Sequence, residues 1–367
     1  MISSNYYKLS EQYLFSRIGR IISERHGAIN LSIGDVSLPL PREVSEAGAR
    51  AAMELGDKST FRGYPPECGY DFLRKAVARY YNDRGVTVDQ SEVFISDGIK
   101  SDMAMFFHVF NRGKVLLPTP CYPAYIDVCA IFGFEVSFYE DAPSEEKADI
   151  IVICSPDNPT GRAKSKAELE AWVRYAKRTG AIILYDAAYE AFVQSGAPRS
   201  IYEIEGAREC AVELCSFSKT AGFTGLRCGY TVVPSECGLG KVWARLKSSL
   251  SNGVSYVTQR MAECALTSAL DKIRGNVKQY LDNAALFRSA LSGADFVGGE
   301  DSPYIWLRVG DGKAEFYRFL DEYNLGVTPG YGFGRNGDGY VRINSFCSKE
   351  NAIVAAQRLR DWVRGRG

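Results

Sequence analysis

The chain has 367 residues, 46% of them hydrophobic and 24% charged, with 44 Lys plus Arg against 44 Asp plus Glu. That length suits a large catalytic domain with a smaller companion, and the charge balance gives no bulk attraction to nucleic acid or to an anionic membrane surface. With two histidines (His26 and His108) and ten cysteines lacking any CxxC pair, a histidine-rich metal site is excluded and a Ser-His-Asp triad is disfavoured.

Residues 5–25 read as an arm and then an amphipathic helix, because Tyr13, Leu14, Ile18, Ile21 and Ile22 recur at helical spacing. Residues 29–33 read as a short strand stopped by Gly34-Asp35, and 41–55 as a helix with Pro41 at its start. Residues 59–70 form a loop of glycine, proline and aromatics, a composition suited to making contacts. Strands at 93–96, 114–117, 135–139, 150–154, 181–185, 211–215 and 228–233 then alternate with helices at 70–84, 100–111, 122–132, 165–178 and 199–206. Short β-rich runs separated by helices predict a mainly parallel α/β sheet with helices on both faces. Cys154 and Cys215 fall in apolar runs and are expected to be reduced core residues, and His108, in MAMFFHVF, a core histidine.

After Pro234 the pattern changes. Helices are expected at 238–250 and 254–295, the latter broken near 268–270. A strand (304–309), a helix (313–323), a glycine loop (330–339), a strand (340–344) and a last helix (348–364) complete a smaller α/β domain. The expected division is an arm with part of the small domain at 1–45, a large domain at 46–260 and a small domain at 261–367. No apolar run reaches spanning length and the first residues show no signal-peptide core, so a cytoplasmic protein with no membrane or nucleic-acid partner is expected.

In parallel sheets ligands sit beyond the carboxyl ends of the strands, and the polar residues of this chain collect there. Asp97-Gly98-Ile99-Lys100, Pro120-Cys121-Tyr122, Ser155 to Gly161, Asp186 to Tyr189 and Ser216 to Lys219 each follow a strand. A lysine among hydroxyls, with an arginine eight positions on, can bind an aldehyde cofactor and its phosphate together. Lys219 would carry pyridoxal phosphate, and Asp186 would keep its ring nitrogen protonated. Asn158 and Tyr189 offer donors to the ring oxygen, and Tyr122 a stacking face. The Ile99-Lys100 helix start, Ser216, Ser218 and Arg227 suit the phosphate. Arg342 is the candidate for a substrate carboxylate, with Asn252 as a second contact. Gly332 to Gly337 spells GxGxxG, but a strand follows instead of a helix, so a mobile loop near substrate is expected, not a dinucleotide site. No metal ligands are expected.

The motifs DNPTG (157–161), YDAAYEAF (185–192) and SFSK (216–219) resemble those of the fold-type I pyridoxal-phosphate aminotransferases. IGDVSLPLP (33–41), STFRGYPPECGY (59–70), SIYEIEGARE (200–209), SFSKTAGFTGLR (216–227), NGVSY (252–256) and GYVRIN (339–344) resemble the LL-diaminopimelate aminotransferase branch. The resemblance implies a pyridoxal 5'-phosphate enzyme. It would exchange amino groups between LL-2,6-diaminopimelate and 2-oxoglutarate, giving tetrahydrodipicolinate and glutamate, in lysine and peptidoglycan-precursor synthesis. An aminotransferase taking aspartate, alanine or an aromatic donor is the alternative. The resemblance also implies a homodimer with a shared active site, in which Tyr64 and Glu67 reach the partner's cofactor and substrate. Tyr13, Gly34, Lys100, Asn158, Asn252 and Arg342 match substrate positions, and Asn252 also matches a cofactor position. Two departures stand out: Ile99 occupies a position usually small in that branch, and a short SECGLG turn replaces a longer insertion after Pro234.

Overall fold

The computed structural model describes residues 3–9, 13–143 and 146–365. Helix α1 (Leu14–Ser23) leads to strand β1 (Ile29–Asn30), α2 (Arg42–Glu54) and α3 (Asp71–Asn82). Next come β2 (Val93–Ser96), α4 (Ile99–Val109), β3 (Lys114–Pro118), α5 (Pro123–Phe132), β4 (Glu135–Tyr139) and β5 (Ile150–Cys154). The large sheet is completed by α6 (Lys166–Thr179), β6 (Ile182–Asp186), β7 (Ala211–Ser216), α7 (Phe217–Thr220) and β8 (Gly229–Val232). Then follow α8 (Gly240–Leu250), α9 (Tyr256–Leu266), α10 (Leu270–Ala290), β9 (Phe296–Gly298), β10 (Tyr304–Arg308) and α11 (Gly312–Glu322). Strands β11 (Leu325–Gly326), β12 (Thr328–Pro329) and β13 (Tyr340–Asn344) and helix α12 (Lys349–Arg364) end the fold.

The large sheet has the order β2-β8-β7-β6-β5-β3-β4, with β8 antiparallel to both neighbours and every other pair parallel. Its strands β2, β3, β5, β6, β7 and β8 are largely buried on both faces because both faces are covered, while the edge strand β4 is half-exposed. In β5 the alternation divides the side chains between two cores: Ile151 and Ile153 pack with the α3 and α6 side, Ile150, Val152 and Cys154 with the α4 and α5 side. Local signals set the helix ends. Ser165 and Glu168 form a capping box at the start of α6, while Gly180 (φ 77°) closes it in the left-handed conformation.

The small sheet, β12-β13-β10-β9, is antiparallel. Ile18 and Ile22 of α1, Ile29 of β1 and Leu31 pack into its core with α11 and α12, so the N-terminal segment belongs there. The chain returns to the large-sheet core through α9, which packs on α2 and α3.

Four expectations are corrected. Residues 199–206 do not form a helix: two 3-10 turns, Ile201–Glu203 and Ala207–Glu209, replace it, and from Tyr202 to Glu205 buried and exposed side chains alternate one by one, a period of two that no helix face can satisfy. Strand 29–33 stops at Asn30, since the carbonyls of Ser32 and Ile33 take side-chain donors instead of a ladder. Thr328 Oγ1 and Arg342 Nη2 donate to Ser32 O at 2.8 and 2.5 Å, and Asn344 Nδ2 to Ile33 O at 3.0 Å. His108 is exposed, lying edge-on to Phe132 with ring centroids 4.5 Å apart. The glycine loop is packed, with Phe333 fully buried and Cβ positions on Gly332 and Gly337 that would fall within 2 Å of Leu14 Cδ2 and Gly330 O.

Candidate active site

The carboxyl ends of β2, β3, β5, β6 and β7 surround a cleft of about 330 Å³, closed from the other side by Tyr13, Gly34, Tyr304 and Arg342. Four cationic side chains line it, Lys100, Lys219, Arg227 and Arg342, against the single carboxylate of Asp186. In a chain of balanced charge this is a strong local excess, suited to anionic ligands.

Lys219 stands in α7, a single turn capped by Ser216, whose Oγ accepts from Ser218 N at 3.1 Å. Its Nζ donates to Gly34 O across the cleft. Burial pulls the amine down from 10.5 to about 8; Asp35 opposes the shift, while Arg342 and Arg227 add to it. The lysine is therefore an amine that can be neutral near physiological pH.

Asp186 ends β6 in the core. Tyr125 donates its hydroxyl to Oδ2 at 2.6 Å and Ala188 its backbone N–H to Oδ1 at 3.0 Å. Burial raises its pKa, and these two donors oppose the rise. No cation pairs with it among the described residues, which leaves a buried carboxylate suited to a protonated ring nitrogen.

Helix α4 starts at Gly98 with φ 131° and no side-chain cap, so its first backbone N–H groups are available to an anion. Arg227 lies beside that end. A Cβ on Gly98 would stand 2.6 Å from Arg227 Nη2, so glycine keeps the cradle open. Arg227 Nη1 also reaches Ser218 Oγ at 3.5 Å. Open helix N–H groups, an arginine and a hydroxyl fit a phosphate monoester. With Lys219 and Asp186 in the same cleft, the residues present fit pyridoxal phosphate.

Arg342, 1% exposed on β13, donates to Asn158 Oδ1 at 2.6 Å and Ser32 O at 2.5 Å, leaving Nε without a partner. Its guanidinium lies 4.4, 4.8 and 5.1 Å from the rings of Tyr304, Phe333 and Phe15. Burial lowers its pKa and no carboxylate pairs with it among the described residues. A buried, unpaired arginine calls for an incoming anion. At the exposed side, Lys100 Nζ lies 4.5 Å from the Tyr13 ring, and Tyr13 donates its hydroxyl to Tyr122 at 3.0 Å.

Thus Tyr13, Gly34, Ile99, Lys100, Tyr122, Asn158, Asp186, Tyr189, Ser216, Ser218, Lys219, Arg227 and Arg342 line one cleft. Tyr64, Glu67 and Asn252 do not. Tyr64 is 86% exposed, Glu67 and Asn252 are also exposed, and Gly253 packs against Pro65 and Pro66, which puts the three on one surface region. Sequence reasoning missed Tyr125, Tyr304 and Phe15. Tyr304 shares a 2.7 Å hydroxyl contact with Tyr189, and its oxygen would lie 2.4 Å from a Cβ on Gly34. Tyr125 lies three residues after Tyr122 on the same helix face, a spacing that could have flagged it.

The family model for aminotransferase class I and II matches residues 26–359. The structure is similar to the L,L-diaminopimelate aminotransferase of Chlamydomonas reinhardtii, with 33% identity, a TM-score of 0.92, and 99% of this chain and 98% of that chain covered. It is also similar to an aminotransferase from Mycobacterium tuberculosis, at 26% identity and TM-score 0.89, covering 100% and 99% of the two chains. An aspartate aminotransferase from Thermotoga maritima shares the fold at 24% identity and TM-score 0.86, covering 99% and 100%. Among the described residues no helix is long and apolar enough to cross a membrane.

Proposed function

The chain belongs to the class I and II aminotransferases, and from that premise we propose that it exchanges amino groups between LL-2,6-diaminopimelate and 2-oxoglutarate, reversibly giving tetrahydrodipicolinate and glutamate. The observation that carries this reading is a pair of cations in one cleft that have no carboxylate partner among the described residues, Arg342 in the interior and Lys100 toward solvent. Diaminopimelate, glutamate and 2-oxoglutarate each carry a carboxylate at both ends, and two separated cations suit such molecules. The 33% identity to the algal enzyme points the same way.

Pyridoxal 5'-phosphate, when bound, supplies an electron-withdrawing ring that stabilises negative charge at a substrate α-carbon. Lys219 would hold the group through its side-chain amine and, as a neutral amine, would take the substrate α-proton. Asp186 holds the proton on the ring nitrogen. Asn158 and Tyr189 orient the ring oxygen and Tyr122 its face. Arg227, Ser216, Ser218 and the backbone N–H groups of Ile99 and Lys100 hold the phosphate; Ile99 contributes only its backbone. Arg342 fixes the α-carboxylate, which orients the Cα–H bond, with Tyr13 and Gly34 beside it.

The reading includes a homodimer in which Tyr64 and Glu67 enter the partner's site, with Asn252 beside them, a cytoplasmic place of action in lysine biosynthesis, and a division into 1–45, 46–260 and 261–367. The exposure of Phe61 (66%) and Tyr64 (86%) on one loop supports a covered surface there. A single-turnover panel on the holoenzyme with LL-diaminopimelate, aspartate, alanine and aromatic amino acids tests the substrate. The expected result is fastest conversion of LL-diaminopimelate; faster turnover of another donor would assign the chain to that donor instead.

A further inference from the structure

The turn at 157–161 gives Asn158 to the active-site cleft, but Asp157 and Thr160 to a second cleft of about 310 Å³, and Cys154 lines both. Three side chains at this second cleft each hold a polar atom without a hydrogen-bond partner among the described residues. Lys164 is 7% exposed, and its Nζ makes no hydrogen bond or ion pair among the described residues; the Tyr139 ring centroid is 5.9 Å away. Asp157 uses Oδ2 to accept from Thr160 N and Oγ1 at 3.2 and 2.6 Å, leaving Oδ1 buried and unbonded. Thr119 Oγ1 is likewise buried and unbonded.

An ammonium on a largely buried side chain and a buried carboxylate oxygen that form no ion pair are costly, so the fold gains from whatever bridges them. The chemistry of the cleft narrows the choice. A simple anion would face Asp157 and the rim carboxylates of Glu140 and Asp141. A simple cation would face Lys164. Arg162 at the rim is already paired with Asp141 at 3.0 Å and with Glu168. One molecule carrying both charged groups on a single carbon satisfies both sides. The wall from the small sheet is apolar, with Trp306 stacked on Tyr340 at 5.0 Å between centroids.

We propose that this second cleft binds a free α-amino acid as its zwitterion, carboxylate toward Lys164 and Thr119, ammonium toward Asp157, side chain against Trp306 and Tyr340. Such a ligand ties the edge of the large sheet to the small sheet. It also sits one residue from Asn158, whose Oδ1 receives Arg342 Nη1. The proposal does not depend on the identity of the active-site substrate.

The test is ligand-observed NMR on the holoenzyme with L-proline and L-tetrahydroisoquinoline-3-carboxylate, secondary amines that cannot act as transamination donors. Binding at roughly 10 mM or tighter is expected, with N-acetylproline and pyrrolidine about tenfold or more weaker, because each lacks one charge. Lys164→Met should weaken the zwitterions about tenfold or more while Arg342→Lys leaves them unchanged, which separates this cleft from the active site. Without ligand, Lys164→Met should melt at or above the wild-type temperature, since it removes an unpartnered buried charge. Failure of both zwitterions to bind, equal binding of N-acetylproline, or binding sensitive to Arg342→Lys but not to Lys164→Met would overturn the proposal and leave the cleft to water. A fall of several degrees in melting temperature for Lys164→Met would make Lys164 a structural residue and overturn it too.

Discussion

Lys219 and Arg342 are both buried cations, and burial acts on them differently. For the lysine, desolvation favours loss of the proton, which leaves at about pH 8. Condensation with an aldehyde needs the neutral amine. Cofactor-free protein should therefore take up pyridoxal phosphate at a rate rising about tenfold per pH unit below pH 8 and levelling above it. Growth of the visible absorbance reads this; a rise continuing past pH 10 would show an unshifted amine, and Lys219→Ala should give no band. The same shift affects stability with a definite sign. Between pH 8 and 10.5 the unfolded chain holds a proton the folded chain has lost, so the cofactor-free fold gains stability as pH rises through that window. Arg342 stays charged, and its value lies in the planar fork left free at Nε. Arg342→Lys keeps the charge and loses the fork, so kcat/KM for the amino donor should fall about 100-fold or more, roughly 3 kcal/mol, in steady-state assays. Both residues stood out in the sequence, Lys219 as a lysine among hydroxyls after a strand and Arg342 as an arginine inside a short apolar strand. Tyr125, Tyr304 and Phe15 were not, since an aromatic at an apolar position reads as core until its hydroxyl or ring face is seen against a charge.

At the scale of elements, what the site needs is helix starts placed at strand ends. Helix α4 shows this most clearly, because its N-terminus is left open by Gly98, whose φ of 131° L side chains rarely adopt. Gly98→Ala would put a methyl 2.6 Å from Arg227 Nη2 and require an alanine at φ 131°. Affinity for pyridoxal phosphate should drop about tenfold or more, with melting of the cofactor-free protein lowered by about 1–3 kcal/mol of backbone strain. Titration of the cofactor-free variant reads the first and thermal unfolding the second; unchanged affinity would remove the α4 start from the phosphate site. The strands of the large sheet were legible because two covered faces demand continuous apolar runs. The segment 199–206 was not. Its Ser200 and Glu203 do form a capping box, but the box closes a single 3-10 turn, after which buried Ile204 and exposed Glu205 break the helical period, a tertiary outcome the local pattern does not encode. Strand 29–33 fails for a functional reason: the carbonyls of Ser32 and Gly34 are committed to Arg342 and Lys219 instead of to a neighbouring strand.

For the whole molecule, the N-terminal segment decides how the two sheets share one site. Ile18, Ile22 and Leu31 anchor it in the small-sheet core, while Tyr13, Phe15 and Gly34 at its ends line the cleft. Hydrophobic spacing made the anchor legible; the contacts across the cleft depend on a long-range docking that no local pattern records. The loop at 59–70 raises the remaining question, because Tyr64 and Glu67 face solvent in a single chain. If they complete the partner's site, defects in Lys219 and Tyr64 lie in the same site only when they come from different subunits. Tyr64→Ala homodimers should lose about tenfold or more in kcat/KM, and Lys219→Ala homodimers all activity. Unfolding and refolding the two variants together in equal amounts should make half the dimers hybrid. Each hybrid holds one site with both defects and one with neither, so activity should recover to about a quarter of wild type. If Tyr64 served its own subunit, every site in the mixture would carry one defect, and refolding would give no gain over the average of the two variants.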